Sequence, residues 1–305
     1  MTGRFQSRPP PVEEFARLGS RAGSRSLCIA MAGIAITLDG LEEDLATQME
    51  TRYASYLADP PGPPGALRVE VLAAPVDYFV EPGFASRMEE YRVLTALDGP
   101  LFRAVSYRFA SWIDLDRKIG QVALGSGTLD PAPRAMENFI RSCVAWLALT
   151  ENGLFLHGAS IVRDGRCFLF YGPTRAGKST LAAMSTRGRV ISDDLTLLLR
   201  RPDGLVAAGS PFRGTYTAGE PVVGTFPVAA FYRLRKDSRT EVRPDNGGCF
   251  ADLLGNLPYV VDQMQQRPEI IDAVRARVAG LSFRYLHFQK DVDFWPAIDA
   301  ESSHR

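Results

Sequence analysis

The stretch CFLFYGPTRAGKSTLAAM, residues 167–184, decides how the rest of the chain is read. An apolar run ending at Tyr171 leads into Gly172, four further residues, Gly177-Lys178-Ser179, and then a helix-forming segment. Strand, glycine-bounded loop and helix in that order form a phosphate cradle. Glycine permits the dihedrals and close approach by which backbone amides wrap phosphate oxygens. The helix opening near Lys178 adds the positive end of its dipole. Lys178 can reach the outer phosphates, and the Ser179 hydroxyl can ligate magnesium. With glycine at about 7% of residues, chance gives the spacing in roughly one chain in a hundred. The flanking strand and helix make the match more specific. The expected ligand is ATP with Mg2+, held by Gly172, Pro173, Thr174, Arg175, Ala176, Gly177, Lys178, Ser179 and Thr180.

Two further features lie within reach of that loop. Asp193 and Asp194 stand fourteen and fifteen residues beyond Ser179 and close the apolar pair Val190-Ile191. A strand–helix–strand reading puts them at a strand's carboxyl end, where ligands bind in open α/β sheets. One carboxylate there can hold magnesium while the other accepts a hydroxyl proton. His157 lies fifteen residues before Gly172 on an expected neighbouring strand. By itself, a histidine among apolar residues suits a satisfied core position; the combination gives it weight.

His157-Gly158-Ala159, a β-hairpin, GPTRAGKST and VISDD together resemble the catalytic domain of the HPr serine kinase/phosphorylase family. The close match covers residues 156–199. The Glu137-Asn138 helix and the GSPFRG segment are similar to a broader HPr kinase-like group. The resemblance implies a P-loop kinase domain of the HPr kinase and phosphoenolpyruvate carboxykinase-like type. It implies that Lys178 binds phosphates, Ser179 and Asp193 serve the metal, and Asp194 deprotonates an acceptor serine. Asp193 and His157 would also orient the base or balance charge. The implied activity is ATP-dependent phosphorylation of a serine in a protein or peptide. The family commonly has Ser-Gly where this loop has Thr174-Arg175. No segment matches the family's phosphorylase and oligomer-contact region, so the expectation is kinase activity alone. A nucleotide-responsive regulator and a small-molecule kinase remain alternative readings, because a fold does not dictate an acceptor.

Other residues divide more evenly between roles. Arg213, in SPFRG, can clamp phosphate or simply lie on a surface loop. Arg175 can face phosphate or acceptor. Glu220 suits a surface carboxylate better than a metal ligand, and His287 suits a partly exposed strand.

The surrounding chain reads as an α/β protein of two domains. Residues 1–25 mix Arg, Ser, Pro and Gly and are expected to be a flexible arm; residues 26–130 form a β-rich α+β domain of unknown role; residues 131–300 form the kinase-like domain. In the middle domain LCIAMAGIAITL suits paired strands, LEEDLATQMETRYASYL a helix, and DPPGPPG a break. Short strands LRVEVLA, EYRVLTAL, LFRAVSYRF and KIGQVAL follow. Asp130 and Pro131 are placed to open a helix whose apolar face runs Met136, Phe139, Ile140, Cys143, Val144, Leu147 and Ala148. Towards the C-terminus, residues 226–234 suit a core strand, residues 251–280 one or two helices, and LSFRYLHF a closing strand.

The chain has 305 residues and a formal net charge of zero, so no global charge favours nucleic acid or an acidic membrane surface. No apolar run reaches the roughly 20 residues needed to span a bilayer. The first residues lack the apolar core of a secretory signal. Cys28, Cys143, Cys167 and Cys249 are too scattered for a zinc site and suit buried thiols of a reducing, cytoplasmic compartment. The residues leave oligomeric state open, although the resembled family forms hexamers.

Overall fold

The computed structural model describes residues 8–18, 20–75, 79–80, 93–125, 132–212, 214, 216 and 222–302. They form an α/β protein with two mixed sheets. The chain divides into two compact units, Met1–Leu147 and Ala148–Arg305.

The first unit contains α1 (Val12–Phe15), β1 (Arg25–Met31), β2 (Ile34–Leu41), α2 (Glu43–Tyr53), β3 (Leu57–Ala58), β4 (Leu67–Ala74), β5 (Leu94–Asp98), β6 (Leu101–Ser106), β7 (Phe109–Asp114) and β8 (Ile119–Gly125). Most of α3 (Ala132–Thr150) also belongs to it. Its sheet runs β3-β1-β2-β4-β8-β7-β6-β5, parallel at β2–β4 and β4–β8 and antiparallel elsewhere. The β1–β2 hairpin turns at Ala32-Gly33, both with positive φ, as a two-residue turn between right-twisted strands requires. LFRAVSYRF is divided by a turn at Tyr107-Arg108, where Arg108 has φ of 62°. The predicted apolar face of α3 is buried, with Phe139 edge-on to Phe109 and Trp146 against Phe102. Within the segment expected to be an arm, α1 inserts Phe15 among Leu72, Val105 and Ala123. The capping residues Asp130 and Pro131 lie outside the described residues.

The second unit contains β9 (Gly153–Arg163), β10 (Arg166–Tyr171), α4 (Lys178–Met184), β11 (Arg189–Ser192), β12 (Leu195–Arg201), β13 (Gly204–Ala208), β14 (Thr225–Lys236), β15 (Glu241–Pro244), α5 (Cys249–Leu254), α6 (Glu269–Arg277), β16 (Ser282–Phe288) and α7 (Trp295–Ser302). Its sheet is ordered β10-β9-β12-β13-β14-β16-β15, with β11 beside β9 and a further β10–β14 pairing. Two long strands change partners along their length. Residues 153–157 of β9 pair with β12, and residues 158–163 pair with β10. The start of β14 pairs with β13 and its later part with β10 and β16.

Strand alternation divides the side chains between two faces. Phe170, Tyr232, Leu234, Leu286 and Phe288 pack with Leu181 of α4 and Trp295 and Ile298 of α7. Burying each large side chain contributes about 2 kcal/mol. Tyr171, Phe231 and Arg233 alternate to the other face, where the Tyr171 hydroxyl donates to the Cys249 carbonyl of α5 at 2.7 Å. All four cysteines are buried, unpaired thiols. Among the described residues, no helix is long and apolar enough to cross a membrane.

Candidate functional site

The site begins where β10 ends. Gly172 has φ of 157° and Gly177 φ of 104°, so the chain leaves the strand and enters α4 through conformations that disfavour a Cβ. Space imposes the same choice. A Cβ on Gly172 would lie 2.8 Å from Arg233 Nη1, and one on Gly177 would lie 2.6 Å from Phe288 Cζ. Between them Ala176 N donates to the Pro173 carbonyl at 3.0 Å, and Arg175 adopts a left-handed φ of 68°. Pro173, Thr174 and Arg175 are exposed; Ser179 and Thr180 are half-buried at the start of α4.

The amides of Thr174, Arg175 and Gly177 have no acceptor among the described residues. The first amides of α4 lack intrahelical acceptors by construction. Donors without acceptors around glycine-shaped backbone suit a polyphosphate. Lys178 is 8% exposed and donates from Nζ to the Gly172 carbonyl at 2.8 Å and the Pro173 carbonyl at 3.3 Å. Its ammonium is thus held by the loop itself. Burial pulls the Lys178 pKa below its ordinary value; the Asp194 charge opposes the shift and the Arg233 charge adds to it.

β9 brings the remaining candidates to this loop. Gly158 pairs with Tyr171 on one side, and its amide donates to the Asp194 carbonyl at 2.8 Å. β10 and β11 therefore flank β9, and His157 falls between the Gly172–Gly177 loop and the aspartate pair. His157 Nε2 is 3.4 Å from Asp194 Oδ1, and both side chains are partly exposed. The Ser192–Asp194 bend is fixed by the Ser192 hydroxyl, which donates to the Leu195 carbonyl at 2.9 Å.

The two aspartates face different partners. Asp193 is 3% exposed, and its Oδ1 and Oδ2 accept the Gly214 and Tyr216 amides at 2.8 and 2.9 Å. Asp194 is the one whose charge acts on Lys178. Arg213 and Glu220 lie outside the described residues. His287 is half-buried in β16 and its Nδ1 is 2.8 Å from Asp237 Oδ2.

Three residues at the site were not singled out in the sequence. Arg233, 7% exposed, abuts Gly172 and donates from Nε to Asp252 Oδ2 at 2.6 Å. The Asn256 carbonyl accepts the His157 amide at 2.8 Å, and its Nδ2 donates to the Asp252 carbonyl at 2.7 Å. A lone arginine inside the apolar run FPVAAFYRL was the available signal, since charged residues are seldom buried without a partner. No family model and no curated protein matches this sequence.

Proposed function

We propose that this chain is an ATP-dependent kinase of the P-loop, HPr kinase-like type, transferring the γ-phosphoryl group to a serine hydroxyl of a protein or peptide. One observation carries the reading: orphan loop amides and a buried lysine face a histidine–aspartate pair 3.4 Å apart, across a single strand. Binding falls to the amides of Thr174, Arg175 and Gly177, the first amides of α4 and the Lys178 ammonium. On nucleotide entry the Lys178 ammonium exchanges loop carbonyls for phosphate oxygens, with little rearrangement of the backbone that holds it. Asp194 takes the serine proton as its oxygen attacks the γ-phosphorus. The bond to the β-bridging oxygen breaks and ADP leaves. His157, with Nε2 3.4 Å from Oδ1, holds the Asp194 carboxylate in place. Phosphoryl transfer of this kind depends on positioning and charge stabilisation.

Magnesium, were it bound, would supply positive charge to offset that of the transferring phosphate. Ser179 Oγ would hold it, with Asp193 contributing through the lone pairs its amide bonds leave open. This donor set fits magnesium, which binds through one or two protein groups plus phosphates and water. The four unpaired thiols agree with action in a reducing, cytoplasmic compartment.

The test is transfer from γ-labelled ATP to proteins of a lysate, with wild type and Asp194→Asn side by side. A labelled protein band that falls about 100- to 10,000-fold in rate in the variant, with nucleotide affinity retained, is expected of a lost general base. Stoichiometric nucleotide binding with no labelled acceptor would instead indicate a regulator. Label confined to the low-mass fraction would indicate a small-molecule kinase. Equal labelling by the variant would place the base elsewhere.

A further inference from the structure

Arg233 is a buried guanidinium in an unusual place. It sits on β14 directly beside Tyr171, the last residue before the phosphate loop. Its Nε is bound to Asp252 at 2.6 Å, and its Nη1 donates to the Leu234 carbonyl at 2.6 Å. Nη1 also occupies the space a Cβ of Gly172 would need. The third nitrogen, Nη2, has no hydrogen-bond partner among the described residues. Two cations, Arg233 and Lys178, thus converge on Gly172 from opposite ends of the loop. Asp252 offsets the Arg233 charge, and an anion beside Gly172 would accept hydrogen bonds from both cations.

Asp252 explains how the guanidinium is held. It belongs to α5, whose Cys249 carbonyl is bound by the Tyr171 hydroxyl. Asp245 Oδ1 accepts the amides of Gly247, Gly248 and Cys249 and so fixes the start of that helix. At the other end Asn256 receives the His157 amide. One short helix therefore ties the arginine, the strand beneath the loop and the histidine together. Two of the guanidinium's nitrogens are anchored, which leaves the third oriented without further loss of side-chain freedom.

We propose that Arg233 is a second phosphate ligand of the loop, its Nη2 donating to a bound polyphosphate while Asp252 holds the guanidinium in place. The proposal rests on the phosphate-loop reading and adds a recognition residue to it. The chemical class it selects is a nucleoside di- or triphosphate over a monophosphate, because a guanidinium beside Gly172 supplements Lys178 only where successive phosphates lie along the loop.

Calorimetric affinities of the full chain for Mg·ATP, Mg·ADP and AMP test this, with wild type, Arg233→Gln, Arg233→Lys and the double variant Arg233→Gln/Asp252→Asn. The expected result is a loss of at least tenfold for ATP and ADP in Arg233→Gln, a smaller loss in Arg233→Lys, and AMP affinity changed less than twofold. If Arg233→Gln does not fold, the double variant, which leaves no unpaired carboxylate, is read in its place. Equal weakening of all three nucleotides with a lowered melting temperature would show a purely structural role and overturn the proposal. ATP affinity unchanged in a folded Arg233 variant would overturn it too, while leaving the loop reading intact. Absence of nucleotide binding by wild type would defeat the loop reading itself.

Discussion

Lys178 is held at the mouth of the loop by two carbonyls, at 2.8 and 3.3 Å, with burial and Arg233 pulling its pKa below the ordinary 10.5 against the pull of Asp194. The sign of the consequence is fixed. Between the lowered value and 10.5 the unfolded chain binds more protons at this residue than the folded one, so its contribution to stability rises with pH. A polyanion reverses the shift by favouring the ammonium. Triphosphate binding at a pH between the lowered value and 10.5 is therefore expected to take up protons. Titration calorimetry in buffers of differing ionisation enthalpy measures that uptake, which Lys178→Ala abolishes. An unchanged, buffer-independent heat would contradict the assignment. The turn built on Gly172, Gly177 and Lys178 was legible because its residue types recur at a fixed sequence distance. Arg233 was not, because it meets Gly172 through the pairing of Tyr171 with Arg233, sixty-two residues apart in the chain.

Asp193 and Asp194 separate at the level of elements. They are adjacent in sequence, yet the bend between β11 and β12 turns one towards residues 214 and 216 and leaves the other near His157. Asp193→Asn replaces one acceptor oxygen with an amide group that cannot accept, opposite a backbone donor. A loss of about 2 kcal/mol in urea denaturation is expected for a charge-assisted bond of this kind. A change under a few tenths would remove the anchoring role. Gly177→Ala forces a Cβ to within 2.6 Å of Phe288 at a φ of 104°. Strain of about 1–3 kcal/mol is expected there. It should appear both as a lowered melting temperature and as weaker ATP binding; a variant matching wild type in both would show that the loop is not built on this glycine.

The limits of pattern reading are also set at this scale. Apolar runs bounded on at least one side by glycine or proline mark β1, β2, β4, β9, β10, β14 and β16. The β6–β7 turn at Tyr107-Arg108 contains no glycine, so its two strands read as one. β12 and β13, from residues 195–208, carry no chemistry and so escaped notice, though they complete the path from β9 to β14. The apolar face of α3 was legible from helical spacing, but spacing alone does not say which sheet a helix covers.

Across the whole molecule, one architectural fact joins these levels. β9 lies between β10 and β11, so the loop after β10, His157 within β9 and the two aspartates after β11 meet in one place in the second unit. A net charge of zero supplies no long-range attraction for polyanions, so affinity must come from local donors. The first unit has its own sheet and core. The most direct test of the account is equilibrium titration of the full chain with Mg·ATP, comparing wild type with Lys178→Ala at neutral pH. Saturable one-to-one binding that weakens about 10- to 100-fold in the variant is predicted, the range expected for a hydrogen-bonded charge. Equal affinity in the two proteins, or no saturable binding to wild type, would contradict it.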